Sequence, residues 1–113
     1  MDEREFLALA DAELARLEAA IGKVVDDGTV DIDYELKPGG IIELSFDDDS
    51  KIIINRHAAA REICVAARSG GFHFKPPATP GGPWTGTRDG AALADVLSRC
   101  VSEQAGEPLR LDW

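Results

Sequence analysis

The stretch SKIIINRHAAAREICVAARSGGFHF, residues 50–74, holds the densest run of β-forming apolar residues in the chain. Three consecutive isoleucines fall within residues 51–55, and residues 61–67 place Ile63, Val65 and Ala67 on one face of an extended chain. Residues 56–60 are too short for a helix, and a Ser-Gly-Gly turn signal at 69–71 precedes residues 72–74. We therefore predict three consecutive antiparallel strands at the centre of a sheet.

Further strands flank this centre. Residues 29–37, TVDIDYELK, alternate with period two, which predicts a half-buried strand with an acidic outer face. The predicted inner residues are Val30, Ile32, Tyr34 and Leu36, and the outer ones are Asp31, Asp33, Glu35 and Lys37. A Pro-Gly-Gly turn leads to a second alternating run at 41–46, and residues 84–86 predict a short last strand.

Two amphipathic helices bracket this meander. Residues 2–21 carry an apolar stripe at helical spacing, with Gly22 as the predicted helix end and residues 26–28 as a turn. Residues 91–105 carry a second stripe, with Asp89 or Thr87 as the predicted N-cap and Gly106 as the end. The expected fold is α+β: a two-layer α/β sandwich in one domain, residues 1–113, with both helices on one face of an antiparallel sheet.

The charge balance limits the partners. Asp and Glu number 21 against 12 Lys and Arg, a net charge of -9, so we expect repulsion of nucleic acids and attraction of cations and basic proteins. No apolar run approaches the ~20 residues of a membrane span, and the N-terminus is acidic, so we predict a cytoplasmic protein. Cys64 and Cys100 lack the spacing of a disulfide framework or a zinc site, which favours free thiols.

An acidic surface is the candidate metal site. The predicted ligands are carboxylates from the first helix, the turn after it and the outer face of the first strand: Asp11, Glu18, Asp26, Asp27, Asp31, Asp33 and Glu35. Like charges at this spacing repel one another, and a hard cation such as iron, manganese, magnesium or calcium would relieve that repulsion. The alternative is a solvated outer face that only discourages edge pairing.

Catalysis is not expected. The chain contains only His57 and His73 as histidines, and it has no nucleophile elbow, phosphate loop or dinucleotide fingerprint, so we predict a non-enzymatic protein. Both histidines are expected to be solvated or hydrogen-bonded, with metal ligation as the alternative. Cys64 is either a small apolar residue on the sheet or a thiol that faces a partner, and Trp84 is expected to pack over the sheet.

Several segments, taken together, resemble the frataxin family, and most closely its bacterial branch. The segments are Asp31-Ile32-Asp33, residues 50–56, Gly70-Gly71-Phe72-His73-Phe74, Trp84 with Arg88-Asp89-Gly90, and Gln104-Ala105-Gly106. The resemblance implies the same two-layer fold, weak iron binding on an acidic ridge, and a regulatory or iron-supplying role in iron-sulfur cluster assembly. It also implies contact with the cysteine desulfurase and the scaffold protein, by a monomer or an iron-dependent oligomer.

The chain departs from the family at two places. The exposed sheet face has Cys64 where the family usually has tryptophan, and residues 19–23, AAIGK, lack the carboxylates that relatives often carry there. We predict partner contact through Asn55 and Cys64 on this face. Two functions stay open: a metal-responsive regulator of iron-sulfur assembly, and a metal-independent interaction module whose acidic face docks a basic partner.

Overall fold

The computed structural model describes residues 1–28 and 30–113 and has six strands between two helices. In chain order the elements are α1 (Glu3–Asp27), β1 (Ile32–Lys37), β2 (Ile41–Phe46), β3 (Lys51–His57), β4 (Glu62–Ala67), β5 (Gly70–Lys75), β6 (Thr85–Gly86) and α2 (Leu93–Ala105). The strands form one antiparallel sheet in the order β1-β2-β3-β4-β5-β6, so each strand pairs with its neighbours in sequence.

One hydrophobic core lies between the helices and one face of the sheet, which confirms the predicted sandwich. The sheet contributes alternate residues, among them Ile52 and Ile54 of β3 and Ile63 and Val65 of β4, all at most 1% exposed. The helices contribute their apolar stripes: Phe6, Ala10, Leu14, Leu17 and Ile21 from α1, and Leu93, Val96, Leu97, Cys100 and Val101 from α2. The opposite face of the sheet carries Asn55, Cys64 and His73 and is called the open face below.

Helix α1 is longer than the sequence predicts. The carboxylate of Asp2 caps its start by accepting a hydrogen bond from the Glu5 amide at 2.8 Å. Gly22 does not end the helix: a Cβ there would lie 3.4 Å from the Tyr34 hydroxyl, so the glycine sits where β1 packs closely on α1. Gly28, with φ +71°, is the actual C-cap. The predicted turn at 26–28 is therefore wrong in part, because Asp26 and Asp27 form the last helical turn.

Strand β1 keeps the predicted alternation but not the predicted burial. Ile32 is buried, whereas Tyr34 is 39% and Leu36 is 54% exposed, although both belong to the helix-facing set. The reason is that β1 is an edge strand, and an open groove between α1 and the β1-β2 hairpin leaves Leu36 in contact with solvent. Thr29, the first residue of the predicted strand, lies outside the described residues.

Strand β3 runs two residues beyond its predicted end at Asn55. Arg56 and His57, expected in a connection, pair with Ile63 and Glu62 of β4. The predicted strand at 41–46 and the short last strand are confirmed.

Helix α2 begins without a side-chain cap. Its N-cap is Ala92 rather than Asp89 or Thr87, and the Asp89 carboxylate instead accepts a hydrogen bond from the Ala91 amide at 3.0 Å, in the turn before the helix. Gly106 ends α2 as predicted. Trp84 is buried and its ring meets that of Phe6 edge to face, which confirms its predicted packing role.

The segment after α2 packs back onto the core. Leu111 is 1% exposed, and its amide donates to Ser98 Oγ at 3.0 Å. Trp113 Nε1 donates to Glu13 Oε2 at 2.8 Å, which links this segment to α1.

Gln104 at the end of α2 is a buried polar link between the layers. Its Oε1 accepts from the Arg68 amide at 3.0 Å, and its Nε2 donates to Ser50 Oγ at 2.9 Å and to the Lys51 carbonyl at 3.2 Å. One side chain therefore ties α2 to the β2-β3 and β4-β5 turns.

We expect Gln104→Ala to lower the free energy of unfolding by about 1–3 kcal/mol, because the Arg68 amide and the Lys51 carbonyl lose a buried partner. Urea denaturation monitored by circular dichroism measures this loss. The exposed neighbour Glu103 provides the control, and Glu103→Ala should change stability by no more than about 0.5 kcal/mol. Equal effects of the two variants would contradict a specific role for the amide.

Candidate functional site

Five of the seven predicted metal ligands lie along one edge of the molecule. Asp26 and Asp27 occupy the last turn of α1, Asp31 precedes β1, and Asp33 and Glu35 lie on β1. All five side chains are exposed. These five residues are called the acidic edge below, and they combine a helix C-terminus with an edge strand.

Asp11 and Glu18 occupy a different environment. Both line the groove between α1 and the β1-β2 hairpin. Arg56 Nη1 donates to Asp11 Oδ1 at 2.6 Å, and Arg56 Nε donates to the Gly39 carbonyl at 3.3 Å. Gly40, with φ +74°, lets the arginine cross the hairpin, because a Cβ at that position would collide with its side chain. Asp11 is thus neutralised by a cation from β3, whereas Glu18 makes no ion pair among the described residues.

The carboxylates of the acidic edge differ in their cation partners. Glu35 lies 3.9 Å from Lys37 Nζ. Within residues 1–28 and 30–113, the other four members form no ion pair, namely Asp26, Asp27, Asp31 and Asp33. These four therefore carry the uncompensated negative charge of the edge.

The acidic edge does not form a closed coordination cage. Among the described residues, one group brings three potential ligand atoms within 4.8 Å of one another, and that group is Glu62, Cys64 and His73 on the open face. The carboxylates of the edge are each accessible to water, so a hard cation bound there would keep much of its hydration shell. The assignment of the seven carboxylates to metal stays a prediction.

Glu43 lies at the centre of a charge cluster on the open face and was not singled out from the sequence. It is 7% exposed on β2, accepts from Lys51 Nζ at 2.7 Å and also contacts Lys37 Nζ. Hydrogen bonds from Lys37 and then Lys51 lower the pKa of Glu43 from 4.5 to about 2. The alternation of β1, β2 and β3 contained this information, because the register places Glu43 between strands that each carry a lysine.

The predicted partner residues are neighbours on the open face. Asn55 of β3 and Cys64 of β4 are directly opposite each other in the ladder, and both are half-buried. Asn55 Nδ2 donates to the Arg56 carbonyl at 3.3 Å. Burial, and then the charge of Glu62, raise the pKa of the Cys64 thiol.

Cys64 also has a close neighbour on its other side. Cys64 Sγ lies 3.3 Å from His73 Nδ1, and the same nitrogen lies 3.1 Å from Glu62 Oε1. His73 faces away from the core, as predicted, but Glu62 was not singled out from the sequence. A two-residue hairpin loop at 68–69 sets Cys64 opposite His73, so a prediction of that loop would have revealed the contact.

A family model described as a frataxin-like domain matches residues 1–107. The chain belongs to the frataxin-like family. Among curated proteins to which this frataxin-like chain is similar, the iron-sulfur cluster assembly protein CyaY of Dechloromonas aromatica (strain RCB) is 50% identical over 111 residues, covering 98% of this chain and 99% of that relative. The protein of the same name from Cupriavidus taiwanensis is 48% identical over 109 residues, which cover 96% of this chain and 95% of that relative.

A solved frataxin structure supports the same assignment. Frataxin from Psychromonas ingrahamii, of the CyaY protein family, is 26% identical, with a TM-score of 0.79 and full coverage of both chains. The resemblance seen in the sequence and the frataxin α+β sandwich are thereby confirmed. Within the described ranges of this frataxin-like chain, no helix is both long and apolar enough to cross a membrane.

The Glu43 cluster predicts a pH dependence of stability. Because the pKa of Glu43 is depressed in the folded state, its stabilisation is present above pH 4.5 and is lost as pH falls towards about 2. We expect Glu43→Gln to be less stable than the parent near neutral pH, and the two unfolding free energies to converge over this window. Urea denaturation across the acid range measures it. Glu107→Gln, at an exposed position, is the control and should follow the parent curve; parallel curves for Glu43→Gln and the parent would contradict the prediction.

Proposed function

We propose that this protein acts in iron-sulfur cluster assembly as a non-catalytic, iron-binding regulator or iron donor. The observation that carries the proposal is full-length similarity, at 50% and 48% identity, to proteins named for iron-sulfur cluster assembly. The acidic edge supports the iron-binding part, since four exposed carboxylates without cation partners among the described residues attract a hard cation.

The proposed iron binding is weak and exchangeable. Asp26, Asp27, Asp31 and Asp33 are its main ligands, because their charge is uncompensated among the described residues. Glu35, Glu18 and Asp11 contribute less: Glu35 shares Lys37, Glu18 lies apart in the groove, and Asp11 is held by Arg56. Weak and exchangeable binding suits a protein that senses or delivers iron, since a closed site would retain the ion.

The proposed partners are the cysteine desulfurase and the scaffold protein. Negative charge on the acidic edge favours a basic partner surface and accelerates its approach. The adjacent open face offers a half-buried contact area around Asn55 and Cys64 that can be desolvated on binding. We thus assign the association rate of the partner to the acidic edge and its residence time to the open face.

Removal of the uncompensated charges tests the iron site. Each single Asp→Asn change at 26, 27, 31 or 33 should lower ferrous iron affinity by less than about fivefold, the range of one surface charge interaction. The four changes together should lower the iron affinity by more than about tenfold, because the free-energy effects of independent positions add. Anaerobic isothermal titration calorimetry, with and without the desulfurase, measures both the affinity and its dependence on the partner.

The matched control removes four charges elsewhere, by Glu3→Gln, Asp47→Asn, Asp49→Asn and Glu107→Gln. It should bind iron nearly as the parent does. An equal loss of iron affinity in both fourfold variants would mean that the affinity depends only on net charge. Complete loss of binding from Asp31→Asn alone would indicate a closed site. If the affinity for the desulfurase is the same with and without iron but falls when the acidic edge is neutralised, the metal-independent interaction module is favoured.

A tryptophan at position 64 tests the open face. We expect Cys64→Trp to slow dissociation from the cysteine desulfurase by about tenfold, because a buried aromatic contact is lost only when the partner leaves. The salt dependence of association should stay that of the parent, because it arises from the acidic edge. Surface plasmon resonance at two salt concentrations separates the two rates. Ala8→Trp on the exposed side of α1 is the control, and the same slowing in both variants would mean that the open face is not the docking surface.

A further inference from the structure

Glu62, Cys64 and His73 make up the one group of the described residues that gathers three different kinds of metal ligand, a carboxylate, a thiol and an imidazole. Glu62 and Cys64 lie two residues apart on β4 and so share the open face, and His73 is the direct cross-strand partner of Cys64 on β5. The three side chains thus project from two paired strands on the same face of the sheet. The proposed iron site uses none of them.

One nitrogen, His73 Nδ1, lies within contact distance of both a thiol and a carboxylate. This nitrogen lies 3.3 Å from Cys64 Sγ and 3.1 Å from Glu62 Oε1. A neutral imidazole nitrogen carries either one proton or one lone pair. If the nitrogen is protonated, it must share its one N–H between the carboxylate and the weakly accepting sulfur, and if it accepts from the thiol, it faces the carboxylate without a proton. A cation between the three atoms would be satisfied by a lone pair from each of them.

The distances are close to those of a tetrahedral zinc site. Zinc bonds of about 2.3 Å to sulfur and about 2.0–2.2 Å to nitrogen and oxygen place neighbouring ligand atoms roughly 3.6 Å apart for sulfur and nitrogen, and roughly 3.4 Å apart for nitrogen and oxygen. The observed separations, 3.3 and 3.1 Å, are shorter by only a few tenths of an ångström. A small outward rotation of the side chains would therefore admit the ion without a change in the sheet.

We propose that Glu62, Cys64 and His73 form a zinc-binding site on the open face, separate from the acidic edge. The sulfur and nitrogen donors select a thiophilic divalent cation, whereas the oxygen-only acidic edge selects hard cations. Zinc takes three ligands from the protein, and water occupies the fourth position, since the cluster is only partly covered: the side chains of Glu62 and His73 are 25% and 54% exposed. The long sequence separation hides this site from a spacing motif, because the hairpin register brings the ligands together.

Cobalt(II) is the probe, because a cobalt-thiolate bond gives a near-ultraviolet charge-transfer band that oxygen and nitrogen ligands alone do not give. Reduced, chelator-treated full-length chain titrated with cobalt should develop this band at one ion per chain, and zinc should displace it. Cys64→Ser should abolish the band. Both His73→Ala and Glu62→Gln should weaken zinc binding by more than the roughly 10- to 100-fold that loss of an outer hydrogen bond to a metal ligand costs.

Two controls locate the site. Cys100→Ala removes the only other thiol, which is 1% exposed, and should retain the band. Asp31→Asn with Asp33→Asn should also retain it, so failure of the iron proposal leaves this result unaffected. The proposal is overturned if the parent shows no thiolate band, if the band survives Cys64→Ser or disappears in Cys100→Ala, or if His73→Ala and Glu62→Gln bind zinc as tightly as the parent.

Discussion

Burial of the alternate residues of the two central strands is the constraint on which the rest of the structure depends. Ile52, Ile54, Ile63 and Val65 are almost wholly removed from water, and each contributes roughly 1.5–3 kcal/mol when fully buried. Because strand side chains alternate between faces, burial of one face by the helices leaves the other face without helical cover. The sheet therefore presents Asn55, Cys64 and His73 on its open face, and the acidic edge combines β1 with the end of α1. A substitution on the open face, at Cys64 for example, leaves the core unchanged, because the core does not include the residues of that face.

Most of the fold could be predicted because its signals are local. Strand alternation, turn residues and helical periodicity each depend on residues about four positions apart or fewer, and together they indicated the meander, both helices and the side on which the helices pack. The errors occurred where packing outweighed a local preference. Gly22 costs about 1 kcal/mol within a helix, but α1 continues because Val24 and Val25 still pack against the core. The strand alternation predicts Leu36 as an inner residue. Only the tertiary structure shows that the helix layer leaves it exposed.

The candidate sites could also be predicted only in part. Carboxylates are visible in the sequence, so the seven candidate metal ligands could be named in advance. Their differences could not, because the cation that neutralises Asp11 is Arg56, 45 residues away. Likewise Glu62, Cys64 and His73 lie in two strands, and their convergence depends on a two-residue hairpin loop. Register, rather than composition, determines which polar groups meet across a sheet.

The sequential strand order also has a kinetic consequence. Every strand pairs with the strand next to it along the chain, so the sheet can assemble hairpin by hairpin with short loop closures. Folding rate falls as contacts become more distant in sequence, and this topology keeps the contacts within the sheet local. The most distant contacts involve the helices and the segment after α2, as between Trp113 and Glu13. We therefore expect rapid sheet formation followed by helix docking, with little time during which an unpaired central strand is open to aggregation.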